Sequence, residues 1–292
     1  IVMSSPNTLP KVLTIAGSDT SSGAGMQADL KTFQELKTYG MVVLTAIVTM
    51  DKDTWSHHVV PIANDVIEQQ IETVLSIGPI AIKTGMLGTK FMIERAAQVF
   101  NEAVTAKYFI VDPVMVCKGE NEVLNPDNTD AMIKNLLPLA TVVTPNLFEA
   151  GQLAKCNKPI QTIDEMKQAA IKIFQYGTKH VVIKGGKALR NIDNTVDQLY
   201  AYDLYYDGEN FYQLSAPLFQ KGFNHGAGCT FAAAITANLA NGQTPYDAIV
   251  NAKAFVAAAI KHGWEMNKIV GGPVNHGAYN NIEHITVDVK KL

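Results

Sequence analysis

Val12-Leu13-Thr14-Ile15-Ala16 is a short, largely apolar run closed by Gly17-Ser18-Asp19, and from Met26 the chain switches to apolar residues three and four positions apart. The first pattern reads as a buried strand and the second as an amphipathic helix. The unit then repeats. Apolar runs at 42–48, 80–82, 108–111, 141–143 and 181–183 alternate with helical patterns at 26–39, 64–77, 89–106, 127–137 and 162–176. Parallel strands need a long crossover, usually a helix, so the alternation predicts an α/β fold with a mostly parallel central sheet and helices on both faces. Asp207-Gly208, between the runs 204–206 and 211–214, has the positive-φ chemistry of a tight turn and predicts an antiparallel hairpin capping one sheet edge. Two Ala-rich stretches, 230–240 and 245–262, predict a pair of packed helices. Periodicity leaves the strand order open.

Composition sets the outer bounds. With 292 residues, 47% hydrophobic and 17% charged, the chain can bury a large core, which excludes disorder. No repeat, charge block or Pro/Ser-rich linker marks a boundary, so residues 11–292 are expected to form one domain, with 1–10 as an N-terminal extension. The 24 basic and 27 acidic residues give a net charge of −3, which lacks the positive field that nucleic-acid binding needs. Apolar stretches such as 41–48 fall far short of the ~20 residues that span a bilayer, so neither nucleic acid nor membrane is an expected partner. Cys117, Cys156 and Cys229 are scattered and form no C-x-x-C pair, which fits a reducing cytoplasm rather than a disulfide or zinc framework.

In open parallel sheets ligands bind beyond the carboxyl ends of the strands. Six such ends carry polar or Gly-rich turns: Gly17-Ser18-Asp19, Thr49-Met50-Asp51, Lys83-Thr84-Gly85-Met86, Asp112-Pro113-Val114-Met115, Thr144-Pro145-Asn146 and Lys184-Gly185-Gly186. Any one of them could be ordinary turn chemistry; together they predict one lined cleft. The sharpest local feature is Asn224-His225-Gly226-Ala227-Gly228-Cys229-Thr230-Phe231. Glycines opening a helix leave successive N–H groups free for an anion, and the same place lowers a thiol's pKa. Cys229 is thus a candidate proton acceptor or nucleophile. Without the flanking glycines it would read as a small buried residue in an Ala-rich helix. The P-loop pattern is absent, because Lys187 after Gly185-Gly186 is followed by Ala188. Gly23-Ala24-Gly25-Met26-Gln27-Ala28 matches the dinucleotide pattern G-x-G-x-x-A but lies too far past Ala16 for its first glycine to follow the strand directly.

Ala16-Gly17-Ser18-Asp19, Gly23-Ala24-Gly25-Met26-Gln27-Ala28-Asp29-Leu30-Lys31-Thr32, Lys83-Thr84-Gly85-Met86-Leu87, Asp112-Pro113-Val114-Met115, Thr144-Pro145-Asn146-Leu147-Phe148-Glu149-Ala150 and His225-Gly226-Ala227-Gly228-Cys229-Thr230 resemble, in order, the hydroxymethylpyrimidine kinase and pyridoxal kinase branch of the ribokinase superfamily. The resemblance runs from about Lys11 to Val274 and leaves only 188–202 as a variable loop without an anchor. It implies a ribokinase-like three-layer α/β domain, a homodimer, Mg²⁺, and transfer of the ATP γ-phosphoryl group to a hydroxymethyl group on a pyridine or pyrimidine ring. Phosphoryl transfer needs alignment and charge neutralisation above all, and the Gly226, Ala227, Gly228 and Cys229 amides would supply them. Most of the wider superfamily carries Asp where this chain has Cys229; here Cys229 would be the general base.

The remaining roles follow from the same resemblance. Asn146 and Glu149 fit an N-x-x-E element acting on the metal through water, with Asp112 near the same phosphates, although Asn146 and Glu149 also read as a helix N-cap and its capping-box partner. Thr144, Val182, Ile183, Lys184, Gly185, Gly186 and Gly226 are expected beside ATP. Gly17, Asp29, Met50, His57, Met86 and Val114 are expected around the acceptor ring, Asp29 as a hydrogen-bonding group and Met86 and Val114 as apolar faces. Met115-Val116-Cys117-Lys118-Gly119 resembles the lid of dual-cysteine pyridoxal kinases, whose thiol adds reversibly to the substrate aldehyde. The pyrimidine kinases usually carry Gln where this chain has Met50. Both features favour pyridoxal; the alternatives are a thiamin-pathway pyrimidine kinase and a non-catalytic heterocycle sensor. Cys156 reads as incidental, and the adjacent His57 and His58 lack the spacing of a metal pair.

Overall fold

Successive side chains along each central strand enter different cores. Val12 packs with Phe33, Ala81, Ala233 and Ala237, while Leu13 packs with Ile82, Val43 and Ile67 on the other side. Phe109 and Val111 face one way and Ile110 the other; Val181 and Ile183 are likewise split from Val182. Side chains alternate along a strand, so a run that is apolar throughout belongs to a sheet covered on both faces.

The computed structural model describes residues 8–115, 126–186, 200–219, 223–269 and 271–292. Its strands are β1 (Lys11–Asp19), β2 (Tyr39–Met50), β3 (His57–Pro61), β4 (Ala81–Thr84), β5 (Tyr108–Val111), β6 (Val142–Val143), β7 (His180–Gly186), β8 (Tyr200–Tyr206), β9 (Phe211–Pro217) and β10 (Asp288–Lys291). They form one sheet in the order β10-β9-β8-β7-β6-β5-β4-β1-β2-β3. The six strands from β7 to β2 are parallel, and β3, β8, β9 and β10 add antiparallel flanks. Helices α1 (Gly25–Glu35), α7 (Ala227–Ala240) and α8 (Pro245–Lys261) cover one face. Helices α2 (Asn64–Ile77), α3 (Lys90–Glu102), α4 (Pro126–Ala131), α5 (Leu147–Leu153) and α6 (Ile163–Phe174) cover the other, and the short α9 (Ala278–Asn281) packs on α8. The three-layer α/β expectation is met.

Several boundaries differ from expectation for local reasons. Helix α1 ends at Glu35 rather than at residue 39, because Lys37 takes φ 58° and Tyr39 already pairs in β2. The hairpin β8–β9 does not cap the sheet; β10 pairs outside it. Strand β8 begins at Tyr200, inside the segment expected as a variable loop, and residues 187–199 lie outside the described ones. Strands β3 and β10 are short, polar or exposed edge strands, which apolar periodicity does not mark. Because the central strands run in parallel, the carboxyl ends of β1, β4, β5, β6 and β7 come together at one end of the sheet.

Candidate active site

Those strand ends, with the loop before α7, enclose a cavity of about 260 Å³. Gly17, Met50, His57, Met86, Val114, Asp112, Asn146, Glu149, Lys184 and the whole run Gly226-Ala227-Gly228-Cys229 line it, so most of the residues singled out in the sequence meet in one place. Helix α7 starts at Ala227, with Gly226 as its N-cap at φ 85° and no side-chain cap. A Cβ at Gly226 would overlap the Gly23 carbonyl oxygen, so only glycine fits this turn. The Ala227 N–H donates to the Asn224 carbonyl at 3.1 Å, and the Gly228 and Cys229 N–H groups that follow it in the first turn meet no side-chain cap.

Asp19 and His225 join the two loops of that turn. His225 Nε2 lies 2.8 Å from Asp19 Oδ2, both side chains are buried, and the same carboxylate accepts the Ala24 and Ser21 N–H groups. Burial alone would raise the Asp19 carboxyl, but hydrogen bonds from His225 and Ser21 outweigh it and hold it below its ordinary value. Both residues were quoted in sequence motifs without a role; their signal was the pairing of a carboxylate in one Gly-rich turn with an imidazole in the other.

Cys229 opens on the cavity and is half-buried. Burial pushes its thiol up to about 11; Lys83 and the Gly25 N–H favour the thiolate, and Asp29 and Asp112 oppose it. The helix N-terminus alone predicts a lowered value; burial, the largest influence on this thiol, acts in the opposite direction.

A correction concerns Asp29. It is fully buried in α1 and borders neither this cavity nor the second one described below. Its oxygens accept hydrogen bonds from Thr14 Oγ1 at 2.6 Å and from Lys83 Nζ at 2.8 and 2.9 Å. Lys83, which sequence reasoning passed over, is the residue that lines the cavity. A lone lysine in the apolar strand Ala81-Ile82-Lys83-Thr84 was the available signal, since a buried ammonium needs a partner. Although burial opposes its charge, Asp29, Cys229 and Asp112 keep the Lys83 ammonium above its ordinary pKa.

Lys184 stands between this cavity and a second one of about 200 Å³. Asn224, Ala227 and Gly228 are likewise shared, while Pro217, Leu218, Phe219, Val256 and Ile260 give the second cavity an apolar wall. Lys184 Nζ is 3.4 Å from Asp112 Oδ1, and Asn146 and Glu149 form the expected capping box at the start of α5, with both reciprocal bonds at 2.8 Å. Burial pushes Glu149 up to about 7, aided by Asp112 and opposed by Lys184. Of the residues expected beside ATP, Lys184, Gly186 and Gly226 reach a cavity. Val182 and Ile183 do not: strand alternation buries them in opposite cores. Thr144 is buried with its hydroxyl 3.5 Å from Asp112, and the Gly185 N–H is bound to Asp203. Cys117 lies outside the described residues.

Comparison with known proteins agrees with this arrangement. The chain is 68% identical over 284 residues to a putative pyridoxine kinase of Staphylococcus aureus (strain COL), covering 97% of this chain and 99% of that one. The structure of the pyridoxal kinase from Staphylococcus aureus in complex with AMP-PCP and pyridoxal superposes with a TM-score of 0.89 at 64% identity, covering 98% of this chain and all of that one. The hydroxymethylpyrimidine/phosphomethylpyrimidine kinase of Bacillus subtilis (strain 168) stands further off, at 39% identity over 92% of this chain and 95% of its own. Residues 19–275 match the phosphomethylpyrimidine kinase family, and with its Gly-rich helix start between two cavities the chain belongs to that family.

Proposed function

We propose that this chain is an ATP-dependent kinase that phosphorylates the hydroxymethyl group of pyridoxal and related B6 vitamers. The observation that carries the reading is the shared wall: Lys184, Asn224, Ala227 and Gly228 border both cavities, so a phosphoryl group can pass directly between ligands held in the two. The apolar second cavity suits a nucleoside, and the first, with Met50, Met86 and Val114, suits a flat heterocycle. The acceptor oxygen attacks the γ-phosphorus, the bond to the β–γ bridging oxygen breaks, and the acceptor proton passes to Cys229 in its thiolate form, giving the neutral thiol. The α7 amides and the Lys184 ammonium stabilise the charge on the transferring group. His57 also lines this cavity, and its Nδ1 is buried with no hydrogen-bond partner among the described residues.

Among the described residues no group of three His, Cys, Asp or Glu side chains could chelate a metal unaided. Asp112 and Glu149 beside the phosphate path fit Mg²⁺ of the kind held mainly by nucleotide phosphates and water, with Asn146 fixing the Glu149 carboxylate. When bound, such an ion would neutralise phosphate charge. Residues 11–292 act as one domain in this reading, since one sheet contains both Lys11 and Lys291. No helix among the described residues is long and apolar enough to cross a membrane. A cytoplasmic setting accords with the free thiols of Cys156 and Cys229, and a homodimer with the exposed Ile47 and Val60 on the β2–β3 edge.

The test is ATP-dependent phosphorylation of pyridoxal and of hydroxymethylpyrimidine, measured side by side with Mg²⁺. A higher kcat/KM for pyridoxal is the expected result. A preference for the pyrimidine would place the chain in thiamin synthesis, and binding without turnover would leave only a sensor.

A further inference from the structure

Lys184 and Asp203 are direct partners in the β7–β8 ladder. Cross-strand partners carry their side chains to the same face, and opposite charges so placed attract each other. Here they are kept apart. Lys184 Nζ lies 3.4 Å from Asp112 Oδ1, and both Asp203 oxygens are taken elsewhere: Oδ2 by Lys253 Nζ of α8 at 2.7 Å, Oδ1 by the Gly185 N–H at 3.0 Å. The ladder register shifts between Lys184 and Gly186, and the Asp203 carboxylate satisfies the N–H of the residue between them. Lys253 and Asp203 are both buried and both border the second cavity. A buried ion pair is a poor source of net stability, so its position calls for another account.

We propose that Lys253 is a positioning residue for phosphoryl transfer: by saturating Asp203 it leaves the Lys184 ammonium at the junction of the two cavities, where the nucleotide phosphates lie. Without Lys253, the buried Asp203 carboxylate would draw in the nearest flexible cation. Lys184 is that cation, and on Asp203 it would be withdrawn from Asp112 and from the phosphate path. This inference rests on the kinase reading above.

The test compares wild type, Lys253→Met, Asp203→Asn and the double variant by calorimetric titration with Mg²⁺ and AMP-PCP, and by steady-state KM for ATP and pyridoxal. Lys253→Met should weaken nucleotide binding on the order of tenfold or more, because one partner of a buried charge pair is gone. Its KM for pyridoxal should move less than about twofold, since Lys253 does not border the acceptor cavity. The double variant should recover most of the loss: an amide at 203 still accepts the Gly185 N–H but no longer captures Lys184. A pair that merely holds the fold together would, on losing Lys253, weaken pyridoxal and nucleotide binding alike rather than nucleotide binding alone. If the double variant binds nucleotide as poorly as Lys253→Met, or Lys253→Met binds as wild type, the inference is overturned. Should Lys253→Met fail to fold, the double variant, which leaves no buried charge unpaired at this pair, must bind within about threefold of wild type or the inference falls. Wild type that neither binds AMP-PCP nor turns over ATP would instead overturn the kinase reading, and this inference with it.

Discussion

Asp29 holds both carboxylate oxygens within 2.9 Å of the Lys83 ammonium, and neither side chain is exposed to solvent at all. Lys83 is the cavity-lining member of the pair, so the ion pair ties helix α1 and strand β4 together and carries its positive charge to the site. Lys83→Met would strand the Asp29 carboxylate with only Thr14 as a partner. The expected cost is about 3–5 kcal/mol of unfolding free energy, read from urea denaturation. The double variant Asp29→Asn/Lys83→Met should be the more stable of the two, because it leaves no orphaned charge. A Lys83→Met loss below about 1 kcal/mol would show that the pair is not tightly coupled.

Asp29 also marks the limit of sequence reading. Its place in a motif was legible, but its direction was not, since whether an α1 side chain points into the sheet or into the cleft depends on how the helix is rotated on β1. The strand-end turns were legible because parallel topology sends every one of them to the same end of the sheet. The capping box Asn146–Glu149 was legible because it is a local rule. Long-range neighbours such as Asp203 and Lys253, 50 residues apart, leave no local trace. Val182 and Ile183 show a plainer limit: a motif names consecutive residues, and a strand sends their side chains to opposite faces.

Cys229 predicts a definite pH dependence. With its thiol pushed up to about 11 by burial, the thiolate fraction rises roughly tenfold per pH unit below that value. If proton acceptance by the sulfur limits the rate, kcat should climb between pH 7 and 9 in the wild type. Cys229→Asp, with a base already ionised in this range, should give a flatter profile. Cys229→Ala should lower kcat by roughly 10²–10⁴-fold while AMP-PCP binding, measured by calorimetry, persists. Full turnover in Cys229→Ala would remove the general-base assignment.

His276 predicts a loss of stability in acid. Its Nε2 lies 2.9 Å from Thr230 Oγ1, next in sequence to Cys229, and burial, aided by Lys31, pulls the imidazole down to about 4. The ordinary value is about 6.5, so between these two pH values the unfolded chain takes up a proton that the folded chain refuses. The neutral-imidazole contribution is therefore complete above about pH 6.5 and is lost progressively as pH falls toward 4. Its total is about 3 kcal/mol by linkage. Urea midpoints of wild type and His276→Asn at pH 7.5, 5.5 and 4.5 isolate this contribution from that of the carboxylates, which the two proteins share. Wild type should lose more stability than the variant on acidification; parallel curves would refute the assignment.

The choice of acceptor turns on Met50 and Cys117. Met50 pairs with His57 across β2 and β3, and both border the first cavity, so in the proposed kinase reading they would form the wall that reads the ring edge. A thioether there offers no strong hydrogen bond to a pyrimidine amine, whereas an amide would. Met50→Gln should therefore raise kcat/KM for hydroxymethylpyrimidine relative to pyridoxal, by roughly the factor of ten or more that one hydrogen bond to a substrate supplies. Cys117 is expected to act on the aldehyde alone: its sulfur bonds to the carbonyl carbon while the carbonyl oxygen takes the proton, giving a hemithioacetal. Pyridoxine, an alcohol at that position, and hydroxymethylpyrimidine have no such carbonyl. Cys117→Ala should thus depress kcat/KM for pyridoxal and leave both other acceptors nearly unchanged, as read from parallel assays with one enzyme stock. An equal loss on all three acceptors would mean that Cys117 serves the fold or the nucleotide rather than the aldehyde, and the preference for pyridoxal would then rest on the Met50–His57 wall.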